Sequence, residues 1–141
     1  MEGNDYMKLT EDEKKILLEM QNEKRYPIVR LELHSSQEDE LVNTALNYVR
    51  ITDETDSMEL VKARGVALQS LMEKGLVFID YTIRVWVADD YTIYYKSNIY
   101  ELLCNSVLEN SKQPDTIFDM PYLRKGYANL TARGEEMAEK L

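Results

Sequence analysis

The sequence predicts a single α+β domain. Apolar residues at helical spacing alternate with short runs of β-forming residues, and most junctions between them carry a cap or turn signal. A length of 141 residues with 44% hydrophobic content suits one core. Only 3 Pro and 5 Gly are present, so no linker interrupts the chain and the domain is expected to span residues 1–141, with a loose tail over Met1–Met7.

The elements follow in order. Thr10-Glu11-Asp12-Glu13 reads as a capping box, and Ile16, Leu17 and Met20 continue it as a helix to about Arg25, where Pro27 ends it. Ile28 to Leu33 alternates as a short strand. Ser35 and Ser36 offer caps for a second helix, whose stripe would be Leu41, Val42, Ala45, Leu46 and Val49. A third helix starts near Asp56, carries Leu60, Val61, Ala67, Leu68, Leu71 and Met72, and stops at Gly75.

Leu76 to Ile79 opens a β segment that Tyr81 to Val87 continues by alternation. Asp89-Asp90 suits a turn, and Tyr91 to Tyr95 would return as a strand, forming a hairpin. Ser97 can cap a fourth helix with Ile99, Leu102, Leu103, Val107 and Leu108. Pro121 makes Ile117 to Tyr122 edge strand or coil. Arg124-Lys125-Gly126 reads as a turn and Tyr127 to Leu130 as a strand; Thr131 then caps a last helix containing Met137 and Ala138.

Two of these junctions resemble a known arrangement. Leu71-Met72-Glu73-Lys74-Gly75-Leu76-Val77 is similar to the end of a recognition helix entering a wing strand. Tyr127 to Glu136, with Leu130-Thr131-Ala132-Arg133-Gly134 at its centre, is similar to the second wing strand running into the next helix. Both resemble the winged helix-turn-helix domains of MarR-type bacterial regulators. The resemblance implies a winged helix-turn-helix with an extra helix and hairpin inserted in the wing at approximately 82–122. It also implies a dimeric transcriptional regulator that binds double-stranded DNA.

On that reading the third helix would present Lys62, Gln69 and Ser70 to the major groove, with Gln69 reading adenine. Arg124, Lys125 and Arg133 would hold phosphate from the wing and the helix after it. The same helix face carries Glu59 and Glu73, and the formal charge of −9 opposes a polyphosphate partner. An alternative is a protein-interaction module that uses the tyrosines of the insertion, Tyr91, Tyr94, Tyr95 and Tyr100.

Catalytic motifs are missing from the sequence. His34 is the single histidine and reads as a structural residue; no Cys/His spacing suits zinc and no phosphate-binding glycine loop occurs, so neither enzyme activity nor a metal or other cofactor is expected. Cys104 is alone and reads as a small core residue. No apolar run is long enough for a membrane span and the N-terminus has no leader pattern, so a cytoplasmic protein is expected.

Overall fold

The computed structural model describes residues 8–141, and the tail expected over Met1–Met7 lies outside them. The chain runs through helix α1 (Glu11–Asn22), strands β1 (Tyr26–His34) and β2 (Val42–Val49), helix α2 (Met58–Glu73) and strand β3 (Val77–Asp80). A 3₁₀ turn (Ala88–Tyr91), helices α3 (Thr92–Lys96) and α4 (Asn98–Asn110), strand β4 (Met120–Leu130) and helix α5 (Ala132–Glu139) complete it. The four strands form one antiparallel sheet in the order β2-β1-β4-β3.

Each face of the sheet has its own core. Tyr26 and Ile28 of β1 and Ala128 of β4 pack against Ile16, Leu17, Leu68, Leu71 and Ala138 of α1, α2 and α5. Val29 and Leu31, which point the other way on β1, pack with Leu123 against Tyr91, Tyr94 and Ile99. Helix α2 serves both cores, because Val61 near its start joins the second cluster.

The two junction motifs are stitched to each other. Gly75 adopts φ +74°, and Leu76 N–H donates to Leu71 O at 3.0 Å, which closes α2 with a left-handed cap. β3 then pairs antiparallel with β4, Val77 opposite Leu130 and Ile79 opposite Ala128. Thr131 N–H donates to Leu76 O at 3.0 Å and its hydroxyl donates to Gly75 O at 2.7 Å. The same hydroxyl oxygen accepts from Gly134 N–H at 3.0 Å, so Thr131 caps α5 while tethering it to the end of α2.

The capping box of α1 is present, with Thr10 N–H donating to Glu13 Oε1 at 2.8 Å and Glu13 N–H to Thr10 Oγ1 at 3.1 Å. The helix stops at Asn22, three residues before the expected end. Pro121 sits opposite Leu33 in the part of β4 that β3 does not reach, so its missing N–H interrupts no ladder.

Four expectations are corrected. The predicted second helix over 35–49 is strand β2. A register shift opposite Val29–Leu31 places Leu46 and Val49 against one core although they are three residues apart, which imitates helical spacing. The predicted strand over Tyr81–Val87 is irregular, because Asp80 Oδ1 accepts from Thr82 N–H at 2.7 Å and turns the chain out of the sheet. The returning strand at Tyr91–Tyr95 is instead the end of the 3₁₀ turn followed by α3, so the expected hairpin is not formed. Arg124-Lys125-Gly126 lies inside β4 rather than at a turn. Gly126 is needed there because a Cβ would stand 2.6 Å from the Tyr81 ring.

Candidate functional site

The residues expected to meet DNA do not form one surface. On α2, Lys62 and Gln69 are exposed, as are Glu59 and Glu73 beside them. Ser70 is half-buried. Arg124 and Lys125 are neighbours in a strand and therefore point to opposite sides of the sheet. Arg133 is exposed at the start of α5, roughly 20 Å further along β4.

Arg124 is committed to a carboxylate. Its Nε and Nη2 donate to Glu32 Oε2 and Oε1 at 2.7 and 3.1 Å. Arg30 Nε donates to the same Oε2 at 2.7 Å, and His34 Nε2 lies 2.8 Å from Oε1. Glu32 is fully buried. Burial alone would raise its pKa, but the hydrogen bonds from Arg124, His34 and Arg30 outweigh it and hold the value at about 2. Tyr122 closes the cluster by stacking on His34 with ring centroids 4.3 Å apart. Among the described residues no group of three or more His, Cys, Asp or Glu is placed to hold a metal ion.

Lys125 sits among aromatic rings on the other side. Its ammonium donates to Tyr95 Oη at 3.0 Å and lies 5.2, 5.8 and 5.4 Å from the ring centres of Trp86, Tyr91 and Tyr95. Ring faces attract a cation, so this lysine is held with no carboxylate partner among the described residues. Of the four tyrosines expected at an interface, Tyr91 and Tyr94 belong to the core instead. Their hydroxyls donate to Gly126 O at 2.8 Å and Pro27 O at 2.7 Å, and burial raises both pKa values. Tyr95 remains on the surface and packs edge-on against half-buried Tyr100 at 5.3 Å.

No protein-family model, curated protein or solved structure matches this chain.

The most unusual surface feature is one that periodicity does not flag. Val85, Trp86 and Val87 are 87%, 44% and 41% exposed, and Tyr95 is 46% exposed. The alternation of 81–87 reads as half-buried strand, whereas the Asp80 turn presents these side chains to solvent next to the Lys125 cage.

A second feature is an apolar groove of about 280 Å³ between α4, the start of α2 and the β1–β2 side of the sheet. Leu31, Leu33, Leu46, Ile99 and Leu103 form its walls, and Lys62, Ser106 and Asn110 supply its polar atoms. Here Lys62 falls beside hydrocarbon rather than within a basic face. No helix among the described residues is long and apolar enough to cross a membrane.

Proposed function

We propose that this chain is a non-catalytic recognition domain that binds a protein partner through the surface centred on Trp86 and Tyr95. The observation that carries this reading is the run Val85-Trp86-Val87 left in solvent beside Tyr95. Three consecutive exposed apolar residues are costly on a protein surface unless something covers them. Trp and Tyr are the residues on which interface energy concentrates, because each buries a large rigid ring and keeps a polar tip. Lys125 orders Tyr95 in advance, which lowers the entropy lost on binding.

The test is a quantitative pull-down from cell extract, repeated with point variants. Trp86→Ala and Tyr95→Ala are each expected to lower capture of the same partner by about tenfold or more, since a central aromatic is worth ~2 kcal/mol. Their melting temperatures should stay within a few degrees of the parent. Tyr94→Ala is not a fair probe, because Tyr94 is a core residue. Lys62→Glu combined with Arg133→Glu should leave capture intact. If that pair abolishes capture while Trp86→Ala does not, the reading fails.

A second reading, binding of duplex DNA by a homodimer, draws support from one observation. Helix α2 ends at a left-handed glycine and feeds β3, which pairs with the strand leading into Thr131 and α5, as the MarR-type resemblance requires. Against it stand the missing helix before α2, the acids on the exposed face of α2 and the engagement of Arg124 by Glu32. A gel-shift titration at low salt decides it. Affinity weaker than ~10⁻⁴ M, the floor of non-specific binding, rejects the DNA reading. Sedimentation equilibrium of the same sample reports whether the chain is a dimer.

A further inference from the structure

We propose that the groove between α4, α2 and the β1–β2 side of the sheet binds a medium-length aliphatic carboxylate, with the hydrocarbon tail on the leucines and the head group on Lys62. This site is separate from the aromatic surface, which uses Tyr95 and Trp86 beyond another face of α4.

Size comes first. At ~30 Å³ for a water-sized group, about 280 Å³ accommodates roughly nine heavy atoms. That is close to the lower bound of ~300 Å³ for small-molecule pockets and matches a chain such as octanoate. Composition comes next. The walls are aliphatic, so a flexible alkyl tail gains by leaving water there, and Leu102 at the rim is 53% exposed with no residue covering it.

Charge decides the head group. Lys62 is the one charged residue lining the groove. Among the described residues no carboxylate lies within ion-pair distance of its ammonium, whereas eight other Lys and Arg side chains have such partners. Glu59, one turn earlier on α2, is exposed and does not line the groove. A cation at the edge of a hydrocarbon slot, with Ser106 and Asn110 as further hydrogen-bonding groups, complements a carboxylate and opposes a quaternary ammonium.

The experiment titrates the ¹⁵N-labelled chain with octanoate, octanol and octyltrimethylammonium, following amide shifts by NMR. Octanoate is expected to saturate between ~0.1 and ~10 mM and to shift resonances of Leu46, Ile99, Leu102 and Leu103. Octyltrimethylammonium should bind about fivefold or more weakly. Lys62→Gln should weaken octanoate about fivefold, what one partly exposed ion pair supplies, and leave octanol unchanged. Leu102→Gln, at an exposed position that folding tolerates, should weaken all three.

Octanol binding as tightly as octanoate, or Lys62→Gln leaving octanoate affinity unchanged, overturns the proposal. So does the lack of any saturable shift, which leaves the groove to a side chain of a protein partner.

Discussion

A single buried carboxylate organises much of one sheet face. Glu32 carries a negative charge out of water, and only the two arginines and His34 around it make that tolerable. Because its folded pKa of about 2 lies below the ordinary 4.5, Glu32 stabilises the fold fully above pH 4.5. That contribution fades as pH falls toward 2. Glu32→Gln leaves two arginines facing a neutral amide and should cost ~3 kcal/mol at pH 7, read by urea denaturation. The gap between the variant and the parent should narrow steadily from pH 4.5 to pH 2. A gap that is constant across that range would show that Glu32 acts through packing rather than charge.

At the level of elements, the docking of α5 depends on a position where no side chain fits. A Cβ on Gly134 would stand 2.0 Å from Leu76 O and 3.0 Å from its carbonyl carbon, both backbone atoms that cannot step aside cheaply. Gly134→Ala is therefore expected to push α5 off the α2–β3 junction and cost ~3 kcal/mol, at the upper end for overpacking. Hydrogen exchange should show the α5 amides losing protection first. Gly75→Ala, where a Cβ meets only the Arg133 side chain at 3.4 Å, should cost about 1 kcal/mol, from the left-handed φ alone.

Both junctions were legible in the sequence because their signals are local: a glycine that must turn left-handed and a threonine that must cap. β2 was not legible, since two one-residue register shifts reshuffle which side chains share a face, and those shifts depend on pairing with β1. The Tyr91–Tyr95 segment misled for a related reason. Tyrosines favour strands on average, yet Tyr91 and Tyr94 are spaced to fill one core from a helical turn, and the hydroxyl partners that reward this come from β1 and β4. The Glu32 cluster and the Lys125 cage draw on residues far apart in the chain, so no motif announces them. The exposure of Trp86 was hidden by an alternation that the Asp80 turn overrides.

For the molecule as a whole, the question is whether two cores behave as one. The sheet separates the α1–α2–α5 side from the α3–α4 side, and the segment between β3 and β4 supplies Tyr91, Tyr94 and Ile99 to the second core. Two features couple them. Strand β1 lends alternate residues to each core, and α2 places Leu68 and Leu71 in one and Val61 in the other. Losing either layer would expose the opposite face of β1, so partial unfolding should be costly and the transition two-state. Trp86, the chain's one tryptophan, lies between β3 and β4 and makes the test direct. Its fluorescence reports the segment between β3 and β4, while far-UV circular dichroism draws most of its helical signal from α1, α2 and α5 on the other side of the sheet. In urea the two signals should trace one transition with a common midpoint and a slope of ~1–3 kcal/mol/M. If Trp86 reports melting at a lower urea concentration than the helices do, the segment between β3 and β4 is a separate folding unit. The aromatic surface would then rest on the less stable part of the molecule, and partner binding through Trp86 would have to be coupled to its folding.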